Sequence, residues 1–119
     1  MSQYSSLPIY NSAVNCLKDL YKRIPKFAKQ YKYLLGGKLI EYNIKIISLI
    51  YEISNSREKE ERIMLVEEIE KNIDLLLIHV RICNDLKQFG TESSYLYVSE
   101  NLVDISNQAE RWKNYLAKM

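Results

Sequence analysis

The side chains that could do covalent or acid–base chemistry are the single histidine His79, the cysteines Cys16 and Cys83, and the carboxylates Glu67, Glu68, Glu70 and Asp74. His79 lies inside the apolar run 75–83 and reads as a packed or interface histidine. The two cysteines sit at or beside core positions of helical patterns. They read as small apolar packing groups and not as nucleophiles. The four carboxylates share one helical segment, yet the Glu-x-x-His pair of di-iron bundles is absent. Gly36-Gly37-Lys38 is too short for a phosphate loop. No enzyme is expected, and neither metal nor cofactor.

A second kind of chemistry is electrostatic. Residues 18–45 hold eight basic side chains, Lys18, Lys22, Arg23, Lys26, Lys29, Lys32, Lys38 and Lys45, against only Asp19 and Glu41. Residues 52–74 hold eight acids against four bases, so the formal net charge of +2 is a cancellation between segments. Tyr21, Phe27, Tyr31 and Tyr33 are interleaved with the basic run. Cations mixed with aromatic rings suit a nucleic-acid backbone with bases stacking beside it, RNA or single-stranded DNA. Two other readings fit the same run: a solvated helix face, or a surface for an acidic patch on a partner, including the acidic segment of another copy.

These groups are positioned by helices. With 47% apolar and 27% charged residues over 119 positions, the chain has the make-up of one globular domain, 1–119. Three Gly and two Pro leave few turns for a strand-rich fold. The apolar runs 46–51 and 75–78 are far shorter than the roughly 18–20 residues that cross a bilayer. Two cysteines and no opening signal segment make a cytoplasmic protein, without a disulfide framework, the expectation.

Ile9, Ala13, Leu17, Leu20 and Ile24 recur every three or four residues and predict a helix over about 8–24, with Pro8 in its first turn. Pro25 ends it and biases Ile24 toward an extended conformation. Leu35, Leu39, Tyr42, Ile46, Leu49 and Ile53 predict a helix over about 32–54; its start is open, because Gly36-Gly37 lie either before the helix or where a neighbour comes close. Val66, Ile69, Ile73, Leu76, Val80 and Cys83 predict a third helix over about 57–88, with Gly90 as its cap. Tyr95, Val98, Leu102, Ile105, Ala109, Trp112 and Leu116 predict a fourth over about 92–118, with Thr91 as N-cap and Trp112 in the core. Short connections make the solution all-α, an antiparallel up-down-up-down four-helix bundle. A second apolar stripe, Ile40, Ile44, Ile47 and Tyr51, and the apolar arc containing Leu75, Ile78 and Ile82 exceed what one bundle buries, and homo-oligomerisation is the expected cover.

The residues also resemble a known family. Leu7-Pro8-Ile9-Tyr10, then Leu20-Tyr21-Lys22-Arg23-Ile24-Pro25-Lys26 leading to Leu35-Gly36-Gly37-Lys38-Leu39, is similar to the start of the small four-helix bundles that include the 23S rRNA intervening-sequence proteins and Avd, the accessory variability determinant of diversity-generating retroelements. Leu75-Leu76-Leu77 leading to Val80-Arg81-Ile82-Cys83-Asn84-Asp85-Leu86-Lys87, Tyr95, and Arg111-Trp112-Lys113 extend the likeness over about residues 7–118. Glu41-Tyr42 and Ile53-Ser54-Asn55-Ser56 replace the small-residue ending of the intervening-sequence branch, which favours the Avd-like one. The chain departs from that branch in its low net charge and in Glu110, which replaces the small residue before the tryptophan. The resemblance implies a homopentamer that binds a reverse transcriptase and nucleic acid and assists mutagenic cDNA synthesis without catalysis of its own. The intervening-sequence branch implies a self-assembling bundle with a structural or interaction role.

Overall fold

The computed structural model describes residues 4–119, and among these every regular element is a helix. Pro8 takes the first position of α1 (Pro8–Arg23), where its missing N–H removes no helical bond. Ile9, Ala13, Cys16 and Leu20 form the buried stripe of α1, and Lys22 and Arg23 occupy the last turn, where the helix dipole favours cations. Contrary to the sequence expectation, Ile24 is not extended. It keeps helical dihedrals (φ −57°, ψ −39°), its N–H reaches the Leu20 carbonyl, and a 3₁₀ turn over Ile24–Lys26 carries Pro25. The chain becomes extended only at Phe27 and Ala28. Ile24 and Phe27 are both buried, and the packing of Ile24 on Gly36 outweighs the local preference that Pro25 imposes.

The second predicted helix is two helices, α2 (Lys29–Lys32) and α3 (Leu34–Asn55), with Tyr33 between them. Both glycines therefore lie inside α3, in its first turn. Gly36 is there because a Cβ at this position would stand 2.6 Å from Cγ2 of Ile24, so the side chain of α1's exit fits only against bare backbone. Gly37 has no such neighbour.

After residues 56–58 the chain enters α4 (Lys59–Asp85), with Glu60 and Glu61 in its first turn. The helix stops earlier than the expected 88. Lys87 adopts a left-handed conformation (φ 61°), its N–H bonds the Asn84 carbonyl at 2.8 Å, and the Gln88 N–H bonds the Cys83 carbonyl at 2.9 Å. This is a Schellman ending with lysine where glycine is usual. Gly90, the cap expected from the sequence, sits in the following loop at φ 80°. Phe89 explains the early exit: it is buried edge-on against Phe27, ring centres 5.7 Å apart, so the chain must reverse before it. Thr91 does cap α5 (Glu92–Ala117), its hydroxyl accepting from the Ser94 N–H at 3.1 Å.

α4 packs between α3 and α5, and α1 closes the square against α3 and α5. Gln108 of α5 donates to Ser12 of α1, and Lys113 of α5 to Glu70 of α4, at one end of the bundle. Gln88 accepts from the Ala28 N–H, and Phe27 meets Phe89, at the other. Consecutive long helices thus run antiparallel, in a body of 46 × 23 × 20 Å. The core takes the predicted seams almost whole: Leu20, Leu39, Ile46, Leu49, Ile53, Ile69, Ile73, Leu76, Leu102, Ile105 and Leu116 are all fully buried. Each such side chain contributes about 1.5–3 kcal/mol of apolar burial. Leu17, Leu35, Tyr42, Tyr95 and Trp112 are half-buried at the margin. Asn43, which interrupts no apolar pattern, is buried as well. Its Nδ2 donates to the Ala13 carbonyl at 3.0 Å and ties α3 to α1 in one register. No helix of the described residues is long and apolar enough to cross a membrane.

Candidate nucleic-acid interface

Of the groups with possible covalent chemistry, Cys16 and Cys83 are buried, His79, Glu68 and Glu70 are half-buried, and Glu67 and Asp74 are exposed. Burial pushes the Cys16 thiol up to about 12, helped by the nearby Asp19 charge, and pushes Cys83 to about 12 as well. A thiol so hard to ionise is a packing group. The half-buried His79 ring lies 5.0 Å from that of Tyr42, and its Nδ1 hydrogen-bonds the Leu75 carbonyl at 2.7 Å. Among the described residues no three His, Cys, Asp or Glu side chains come together as a metal site would require. Of the carboxylates, Glu70 takes the Lys113 ammonium at 3.0 Å, and Glu110 shares it at 3.5 Å. Withdrawal from water, and then the neighbouring Glu110, raise the Glu70 carboxyl above its ordinary value. Glu110 is lowered by its contact with Glu70 and by the Lys113 charge. This triad clamps α5 to α4.

The basic residues divide into three groups. Lys22, Lys26, Lys29 and Lys32 gather where α1 passes through α2 into α3, and none of them has an ion-pair partner among the described residues. Lys18 lies one turn before Lys22 on the exposed side of α1 and extends this group along the helix. Arg23 and Lys38 are engaged within the chain. The Arg23 Nε donates to Asp19 at 2.7 Å and its guanidinium lies 5.5 Å from the ring centre of Tyr97, while Lys38 faces Glu41 at 3.5 Å. Lys45 stands apart, beside Ser48 and Asn72 in a hollow between α3 and α4.

Two grooves open at the cationic end. One, of about 460 Å³, is bordered by Arg23, Lys26, Lys87, Gln88, Gly90 and Ser94. Lys87 is a residue the sequence pattern does not single out, because it reaches this end only through the left-handed reversal that ends α4. The other groove, of about 350 Å³, runs between α1 and α3 and is bordered by Tyr21, Pro25, Lys32, Tyr33, Gly37 and Ile40. Its walls are mostly apolar, and Lys32 is the one charged residue on its lining.

The expected assembly residues fall on two adjacent sides of the bundle. In the stripe Ile40, Ile44, Ile47 and Tyr51 of α3, Ile40 shares the groove with Tyr21 and the Tyr51 ring meets that of Tyr4 at 5.1 Å, while Ile44 borders the hollow that holds Lys45 and Asn72. Leu75 and Ile82 stand one turn either side of His79, whose ring meets Tyr42 of α3, and Ile78 lies beside them. Ile40, Ile47 and Leu75 are half-buried within the fold; Ile44, Tyr51, Ile78 and Ile82 are exposed. No protein-family model matches the chain, and no curated protein matches it significantly.

Proposed function

We propose that this chain is a non-catalytic, self-assembling accessory protein of a diversity-generating retroelement, one that binds nucleic acid and a reverse transcriptase in support of mutagenic cDNA synthesis. The observation that carries the reading is the cluster of unpaired lysines, Lys22, Lys26, Lys29 and Lys32, set among exposed tyrosines at one end of the bundle. The family likeness of residues 7–118 supports the retroelement assignment and the reverse transcriptase as partner. Two apolar stripes on different sides of one subunit support assembly by unlike faces, which generates rings when the rotation closes. The likeness favours five subunits.

Binding of structured RNA and of single-stranded DNA, measured by anisotropy across a salt series, tests the reading. Each lysine that neutralises a phosphate steepens the salt dependence by about one counterion. Lys22→Glu together with Lys26→Glu should weaken binding and flatten that slope. Absence of binding at low salt, with no change in reverse transcriptase association on charge reversal, would remove the nucleic-acid role.

One observation favours a second reading, a self-assembling bundle of the intervening-sequence type with no nucleic-acid partner. Arg23 and Lys38 are already balanced by Asp19 and Glu41, which trims the basic surface. The neighbouring genes separate the two: a reverse transcriptase gene and a repeat pair belong to the first reading only.

A further inference from the structure

The groove between α1 and α3 has three features that the bundle itself does not need. Tyr21 and Tyr33, on its two sides, are 54% and 76% exposed, and among the described residues neither ring meets another aromatic ring or makes a side-chain hydrogen bond. Gly37, also on its lining, stands in the first turn of a long helix, where glycine costs about 1 kcal/mol relative to alanine. Gly36 is required by the contact with Ile24, but an added Cβ at Gly37 would meet nothing within 4 Å. The packing of the fold therefore does not require bare backbone at Gly37. Lastly, Lys32 borders the groove and Lys22 follows Tyr21 directly, both without a carboxylate partner.

We infer that this groove binds single-stranded nucleic acid, with an unstacked base against Tyr21 and Tyr33 over Gly37 and the flanking phosphates on Lys22 and Lys32. The inference rests on the nucleic-acid reading above and specifies the strand form and the site. Open phenol rings offer a face to any base, and the missing side chain at Gly37 lets a flat ring approach the helix backbone. The strand must be single, because a paired base is held in its own stack and presents only phosphates to the protein. A duplex would engage the lysines and leave the tyrosines unused. Lys32 on the lining, with Lys22 next to Tyr21 in the chain, favours nucleic acid over an apolar peptide, since a nucleic-acid strand carries a negative charge at every residue.

The test compares a fluorescein-labelled oligothymidylate with a duplex of equal length. The full chain should bind the oligothymidylate more tightly at the same salt concentration. Tyr21→Ala and Tyr33→Ala should each weaken that binding roughly 5- to 100-fold, with the salt slope and the duplex affinity unchanged. Tyr33→Phe, which keeps the ring, should bind as the parent does. Gly37→Leu raises helix propensity while filling the groove, so a loss of oligothymidylate affinity in that variant reports occlusion and not unfolding. If these variants bind as the parent does while Lys22→Ala and Lys32→Ala weaken both probes, the groove assignment fails and the wider nucleic-acid reading stands. Should the unaltered chain bind neither probe, both fail. If Gly37→Leu changes the mass of the assembly without changing affinity, the groove is a contact between subunits and the inference is overturned.

Discussion

Cys16 and Cys83 show how far a residue's type is from its role. Their positions in the helical pattern mark them as core, and the structure adds how completely they are withdrawn from water, at 3% and 0% exposure. Both thiols are held near 12, against 9.0 for an ordinary one. A group whose folded pKa lies above its unfolded value adds stability that is complete below the lower value and lost as pH climbs toward the higher. The denaturation midpoint should therefore hold level up to about pH 9 and fall between pH 9 and 12, and replacing both cysteines by alanine should flatten that fall. A thiol-specific colorimetric reagent should modify both sites in denaturant and neither in the native chain; fast native modification would contradict the burial. Arg23 teaches the converse. As a letter in the sequence it is one more cation, but Asp19 on the preceding turn and the Tyr97 ring from α5 hold it in place.

At the scale of elements, the glycine pair separates two causes that look alike in the sequence. Gly36 is a close approach between α1's exit and α3, whereas Gly37 faces the groove and solvent. Gly36→Ala must push aside the β-branched, buried Ile24 and should lower stability by about 1–3 kcal/mol. Gly37→Ala meets nothing and should raise it by about 0.5–1 kcal/mol through helix propensity. Equilibrium denaturation of the two variants decides the matter, and an equal effect of the same sign would contradict this placement. The four apolar seams were legible because a repeat of three or four fixes the buried side of a helix. Helix ends were less so. The reversal at Lys87 and the continuation through Ile24 answer to Phe89 and Gly36, partners that lie far along the chain.

For the whole molecule, the balance of charges and the surplus of apolar surface matter together. The acidic start of α4 lies at the opposite end of the bundle from the lysine cluster, so the net +2 spreads over the molecule as a dipolar pattern. The apolar stripes of α3 and α4 occupy adjacent sides, which favours unlike-face contacts between copies. Light scattering should find a closed assembly of more than two subunits. Ile78→Asp with Ile82→Asp should reduce its mass while leaving the helical circular dichroism spectrum unchanged, because both side chains are already exposed in the single chain. A monomer at micromolar concentration would remove the assembly reading.

The sequence by itself determined the helices, their inward sides and the basic bias of the segment 18–45, because periodicity and charge are local properties of the chain. The tertiary structure alone decided which lysines remain unpaired, why Gly36 differs from Gly37, how Lys87 joins the cationic end, and that Tyr21 and Tyr33 share one groove. Each of these depends on a contact between residues that only the packing of one helix on another brings within reach.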